Sequence, residues 1–305
     1  MNESSDPGSD PALQVAPQHM FFQKIRSLPD GGRCNYFNGQ TSYSPNGMQK
    51  FLKALCVCLV WLGAMRAAPI MVAQQPVVVE LFTSEGCSSC PPADAILSSL
   101  ARQRTAVKGI DLILLGEHVE YWNGQGWNDR FSASSYTQRQ YEYIRRLHLA
   151  TAYTPQIVVD GHLQTAGGNS SEVQNDIVEE ARIHKPATVS LSLVAPDKLR
   201  VIVNDTNAGK RQVLLAVTED NLSTTVKGGE NGGRVLKHDA VVRELHALGD
   251  VSNGTFDKTV ALPHKSDWKQ ADLRAVVLVQ DTGSGVIDGA ASVPFESANT
   301  TARGR

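Results

Sequence analysis

The stretch Val77–Asp94, VVVELFTSEGCSSCPPAD, contains the features from which the fold is predicted. Its first six residues, Val77–Phe82, are mostly β-branched or large and apolar, which is typical of a buried strand. Two prolines open the segment Pro91–Arg104, whose apolar residues recur at helical spacing, and proline is tolerated in the first turn of a helix. The cysteines Cys87 and Cys90 therefore lie where a strand meets a helix.

The chain that follows alternates between strand and helix patterns as far as Pro186. We predict strands at Ile110–Leu115, Gln156–Val159 and His162–Thr165, and helices at Ser132–Leu149 and Ser170–His184. This order of elements is that of an α/β fold, which we assign to residues 74–186.

After Pro186 the apolar residues alternate with period two, which indicates strands with one buried face. We predict a smaller all-β, sandwich-like domain at residues 187–296. Its predicted strands are Thr188–Val194, Leu199–Val203, Gln212–Thr218, Thr259–Leu262 and Arg274–Gln280, with one short helix at Ala240–Leu248. Glu230-Asn231-Gly232-Gly233 predicts a tight turn, and Arg234, His238 and Arg243 near it are expected to be surface charges.

The N-terminal region does not have the pattern of a folded domain. Residues 1–47 are rich in Ser, Pro, Gly and Asn, and we expect them to be disordered or to be an extension upstream of a true start at Met48. Residues 48–73 have the basic, apolar and small-residue order of a secretory signal peptide, which predicts a periplasmic or secreted protein. The polar tail 297–305 is expected to be disordered.

The charge balance and the cysteine count limit the classes of function that are expected. The net charge of the 305 residues is −2, so we expect neither a nucleic-acid partner nor stable membrane association once the signal peptide is removed. Signal cleavage would remove three of the five cysteines and leave Cys87 and Cys90 as one C-x-x-C pair. An exported protein is in an oxidising compartment, which favours a redox role for this pair.

The position of the pair predicts its chemistry. Unpaired N–H groups and the dipole at a helix N-terminus stabilise a thiolate, so Cys87 is the predicted nucleophile and Cys90 the resolving thiol. Glu85 lies close by and would either raise the thiol pKa or accept its proton; the sequence leaves both readings open. The predicted substrate is a disulfide or thiol, most simply on a protein, and no cofactor or bound metal is expected.

Two other functions use the same thiols. One is the handling of copper or another soft metal, with His118 as a third ligand. The other is a non-catalytic binding module in which the pair is a closed structural disulfide.

Three further residues are predicted to form the substrate side of the site. In thioredoxin-like folds a cis-proline faces the redox pair and its loop binds an extended substrate, so the segment Tyr153-Thr154-Pro155-Gln156 predicts a cis bond at Pro155 and a substrate contact at Thr154. Trp122 could wall a substrate groove, and His118 could exchange protons there. Alternatively, the aromatics cover the sheet edge and His118 is a hydrogen-bonded structural residue.

Four segments together resemble the secreted bacterial family called domain of unknown function 1223. They are Val77–Asp94, His118–Asp129 (HVEYWNGQGWND), Tyr153–Gly161 (YTPQIVVDG) and Gly229–Arg243 (GENGGRVLKHDAVVR). The resemblance extends over about residues 76 to 295. It implies a thioredoxin-like fold, the cysteine pair as the site and Pro155 as the cis-proline; it implies no particular substrate.

Overall fold

The computed structural model describes residues 75–103, 109–207 and 209–295. The predicted upstream extension, the signal peptide at 48–73 and the tail at 297–305 lie outside these residues. The helices are α1 (Pro91–Arg102), α2 (Ser134–Arg146) and α3 (Ser170–Glu180). The strands are β1 (Gln75–Thr83), β2 (Ile110–His118), β3 (Gln156–Val159), β4 (Leu163–Ala166), β5 (Ala187–Ala195), β6 (Lys198–Asp205), β7 (Arg211–Glu219), β8 (Leu222–Thr225), β9 (Val235–His238), β10 (Val241–Asp250), β11 (Thr255–Ala261), β12 (Leu273–Asp281) and β13 (Ile287–Pro294). No helix in these ranges is long and apolar enough to cross a membrane.

Eight strands form one mixed sheet in the order β13-β12-β7-β10-β2-β1-β3-β4. Strand β1 is parallel to β2 and antiparallel to β3. Strand β10 meets β2 through the parallel pair Val241–Gly116, and it is antiparallel to β7. A three-stranded sheet, β11-β6-β5, and the hairpin β8–β9 complete the strands. The fold is therefore a mixed α/β sheet with smaller antiparallel sheets beside it.

Strand β1 is covered on both faces, which explains its continuous apolar sequence. Alternate residues Val77, Val79 and Leu81 pack in the core that contains residues of α1 and α3. Val78 belongs to the core that contains Tyr136 of α2. The C-terminal end of β1 is fixed from both sides, and the loop that carries the cysteines begins there.

The β-rich segment is built on the same sheet. Leu199, Val201 and Val203 of β6 share a core with Val213 and Leu215 of β7, so the small sheet covers one face of the large one. Strands from both sides of the boundary predicted at 186 and 187 thus join one sheet, and the described residues fall within one compact unit.

The short helix predicted at Ala240–Leu248 is wrong, because these residues form strand β10. Two register shifts, between Val242 and Glu244 and between Ala247 and Gly249, interrupt its pairing with β7. Each bulge breaks the period-two pattern, so the sequence VVRELHALGD does not look like a strand. Strands β8, β9 and β13 were also not predicted.

Candidate functional site

The two cysteines form a disulfide in the loop between β1 and α1. Their Cα atoms are 5.4 Å apart, and Cys90 N donates a hydrogen bond to Cys87 O at 3.2 Å. Helix α1 begins at Pro91 with Cys90 as its N-cap. Cys87 therefore lies before the helix rather than in its first turn, because the helix starts at the two prolines that need no N–H partner. Neither cysteine has exposed surface.

The predicted proline loop lies against Cys87. The Thr154–Pro155 peptide bond is cis, as predicted. Cys87 Sγ is 3.9 Å from the carbonyl oxygen of Thr154, and Ser89 Oγ is 3.2 Å from the same sulfur. Since β3 begins directly after Pro155 and pairs with β1, the sheet fixes the loop beside the disulfide.

Trp122 is held next to this loop. Its indole Nε1 donates to Thr154 Oγ1 at 2.8 Å. A Cβ atom added at Gly86 would lie 3.2 Å from Trp122 Cβ, so glycine at this position allows the close approach. The structure thus brings Trp122, Thr154 and Pro155 together around Cys87.

His118 belongs to a buried group under the cysteine loop. It is the last residue of β2, and its Nδ1 lies 2.7 Å from Asp129 Oδ2, which also accepts a hydrogen bond from Glu85 N. Burial by itself lowers the pKa of His118, but the Asp129 carboxylate outweighs it and the pKa is raised. Burial by itself raises the pKa of Asp129, but His118 outweighs it and that pKa is lowered. Through Asp129, His118 of β2 is thus connected to the backbone of the cysteine loop.

The Glu85 carboxylate contacts two aromatic side chains. Its Oε2 accepts from Trp127 Nε1 at 2.8 Å, and its Oε1 is 3.4 Å from His238 Nε2. Burial raises the pKa of Glu85, yet the contact with His238 and the bond from Trp127 leave it lowered. The other His238 nitrogen is 3.9 Å from Asp94 Oδ2, and burial raises the pKa of that carboxyl. The cluster thus places two carboxyl groups with opposite pKa shifts, Glu85 and Asp94, near the two nitrogens of one imidazole.

A loop from the β-rich segment covers the other side of the disulfide. We call residues 226–234 the glycine loop. Asn231 is fully buried, and its Nδ2 donates to Glu85 O and to Cys87 O, both at 2.9 Å. Glu230 Oε2 accepts from Ser88 N at 2.9 Å. A Cβ at Gly228 would collide with the carbonyl of Gly126, so the glycine loop and the segment before α2 are in backbone contact.

The sequence does not indicate that Asn231 belongs to the site. Its Asn-Gly-Gly context correctly predicts a turn, but the partner of its side chain is more than 140 positions away. His238 is also misplaced by the prediction: it is 3% exposed, not a surface charge. Arg243 pairs with Glu219 and with Asp267.

The family model described as "protein of unknown function (DUF1223)" matches residues 78–280. The chain belongs to the DUF1223 family. The match includes the cysteine loop, the cis-proline and Asn231, so all sides of the disulfide lie within the family region. A search of the curated proteins returns no match.

Two solved structures are similar to this DUF1223 chain. Protein AGR_C_4864 from Agrobacterium tumefaciens is 28% identical with a TM-score of 0.59, and the match covers 72% of this chain and 95% of that one. HBP35 of Porphyromonas gingivalis is 17% identical with a TM-score of 0.55, and the match covers 76% of this chain and 79% of that one. The second likeness concerns the fold alone.

The described part of the DUF1223 chain contains no group of three or more His, Cys, Asp or Glu side chains placed to hold a metal ion. His118, the expected third ligand in the copper hypothesis, instead contacts Asp129 and the ring of His238. What the site offers is a covered disulfide with a cis-proline loop at its sulfur and a buried cluster of acids and imidazoles beneath it.

Proposed function

We propose that this DUF1223 chain is an exported thiol–disulfide oxidoreductase of thioredoxin-like fold. The observation that carries the proposal is the approach of Cys87 Sγ to the Thr154 carbonyl at the cis-proline loop. A substrate chain that pairs with the backbone of this loop would bring its own sulfur to Cys87. The placement of α1 and α3 on one face of the sheet and α2 on the other supports the thioredoxin-like assignment.

The exchange needs only the two cysteines and a substrate dithiol. A substrate thiolate attacks Cys87 Sγ, the Cys87–Cys90 bond breaks, and Cys90 leaves as a thiolate that takes up a proton. A second substrate thiolate then attacks the substrate sulfur of the mixed disulfide, and Cys87 leaves. The substrate is oxidised to a disulfide and the protein pair is reduced to two thiols; the reverse sequence reduces a substrate disulfide.

The signal-peptide pattern of residues 48–73 supports the exported location, and an oxidising compartment would keep the pair as a disulfide. Trp122 and Thr154 are proposed to contact the substrate. His118 is proposed to act indirectly, because Asp129 connects it to the backbone of Glu85 and not to either sulfur.

A second candidate is a binding module with a structural disulfide, and one observation favours it. Cys87 and Cys90 have no exposed surface, and Ser89 and Thr154 lie against the Cys87 sulfur. A substrate must displace part of this cover before two sulfurs can meet. A structural disulfide would need no such opening.

Glutathione buffers distinguish the two candidates. Cys34, Cys56 and Cys58 are replaced by serine, and the protein is equilibrated at graded redox potentials. Free thiols are then alkylated, and the mass of the protein is measured by mass spectrometry. We expect a midpoint above about −300 mV, and a stable mixed disulfide with glutathione in Cys90→Ser but not in Cys87→Ser. A midpoint below this value, with no mixed disulfide in either variant, would establish the structural bridge instead.

A further inference from the structure

A cleft of about 600 Å³ lies between helix α1 and the hairpin β8–β9. Sites for small molecules typically measure about 300–1,000 Å³. Pro91 and Ala95 line it from α1, and Val235 and Leu236 line it from β9. Val235 is 60% exposed, so the cleft presents an apolar wall to solvent. Its lining includes neither cysteine, nor Ser89 or Thr154, which lie at the Cys87 sulfur.

The ion pair in the cleft does not use all of its positively charged side chains. Arg102 lies 3.8 Å from Asp239, so these two offset each other. Arg234 donates to the amide oxygen of Asn231 at 2.7 Å, which orients the guanidinium without neutralising it. Within the described ranges Lys237 forms no ion pair. Two cations, Arg234 and Lys237, therefore remain available to an anion beside the apolar wall.

Buried polar groups lie in the same lining. Ser98 and His238 are each less than a tenth exposed. Among the described residues, neither Ser98 Oγ nor either ring nitrogen of His238 has a well-formed hydrogen bond. The third buried polar residue of the lining is Asp94, an acid whose pKa is raised by burial.

We propose that this cleft binds a small organic anion with an apolar body. Its acidic group lies at Arg234 and Lys237, and its body lies against Ala95 and Val235. Apolar walls with a few convergent polar groups are the usual composition of such sites. The proposal does not depend on redox activity, because none of these contacts involves Cys87 or Cys90.

The test uses anilinonaphthalene sulfonate, a fluorescent molecule with an apolar body and one negative charge. It is titrated into the oxidised protein, and octanoate and octanol are added as competitors at equal concentrations. We expect octanoate to displace the probe and octanol not to, since the two differ in the charged group.

Two variants and their controls locate the binding. Replacing both Arg234 and Lys237 by Gln should raise the dissociation constant roughly tenfold or more, because charge-assisted contacts are lost. The matched control replaces Lys198 and Lys210, which are exposed and outside the cleft lining, by Gln. Ala95→Trp should abolish binding by filling the cleft, whereas Ala95→Ser should preserve it. Equal affinity in the two charge variants, displacement by octanol, or unchanged binding in Ala95→Trp would each overturn the proposal.

Discussion

Asn231→Ala tests whether the glycine loop holds the disulfide loop in place. The amide of Asn231 donates to Glu85 O and Cys87 O, and its oxygen accepts from Arg234. Alanine removes all three bonds while the backbone of the turn can remain as it is. The change therefore isolates one side chain that joins the β-rich segment to the cysteine loop.

The expected loss of stability depends on the two carbonyl groups that lose the Asn231 amide as a donor. A buried carbonyl that loses its donor costs about 1–3 kcal/mol of folding free energy, and this range applies to Glu85 O. Cys87 O keeps its hydrogen bond from Cys90 N, so losing the bond from Asn231 costs about as much as an ordinary hydrogen bond, about 1 kcal/mol. We expect Asn231→Ala to lower the free energy of unfolding by about 2–4 kcal/mol in total.

Urea unfolding of the oxidised protein measures this difference, with Asn207→Ala as the control because Asn207 is an exposed asparagine. The control should change the free energy of unfolding by less than about 0.5 kcal/mol. The rate at which glutathione reduces the disulfide should also rise in Asn231→Ala, since the cover of Cys87 is loosened. If both variants unfold at the same urea concentration, Asn231 does not support the site and the reasoning fails.

Three further predictions concern the supports around the site. Burial lowers and Asp129 raises the pKa of His118, with a net increase, so the charged pair stabilises the fold below about pH 6.5 and this contribution is lost as pH rises through the raised pKa. The difference in unfolding free energy between wild type and Asp129→Asn, measured in urea, should therefore be larger at pH 6 than at pH 9.5. Equal differences at the two pH values would show that His118 is not charged. Gly228→Ala should lower the free energy of unfolding by about 1–3 kcal/mol, because the added methyl group collides with the Gly126 carbonyl. In the same assay Gly168→Ala should leave the free energy of unfolding nearly unchanged, because nothing lies within 4 Å of the added atom. Arg139 of α2 forms a buried ion pair with Glu80 of β1. Arg139→Met should lower the free energy of unfolding by about 3–5 kcal/mol because it leaves buried Glu80 without its cation, whereas exposed Arg145→Met on the same helix should lower it little. Comparable melting temperatures for the two variants would contradict the buried pair.

Much of the first half of the fold is readable from local patterns. The run Val77–Phe82 is buried on both faces, and such a strand has no alternation to misread. The helix at Pro91 begins where its prolines place it. Strand β10 is not predicted correctly, because its two bulges remove the alternation on which a strand prediction depends.

The candidate site divides in the same way. Cys87, Cys90 and the cis bond at Pro155 follow from short motifs whose chemistry is local. Asn231 and His238 do not, because a polar side chain near glycines is usually exposed, and only its partner shows otherwise. Their partners, Cys87 and Glu85, are more than 140 positions away in the chain.

The strand, the cysteine pair and the helix that follows can be inferred from local sequence, because hydrophobic period, proline and cysteine spacing act over a few residues. The surroundings of the disulfide depend on long-range packing. The pairing of β10 with β2 brings the β-rich segment beside the cysteine loop, and Asn231 then reaches the carbonyl of Cys87. Such contacts depend on how whole sheets pack, and no local spacing encodes them.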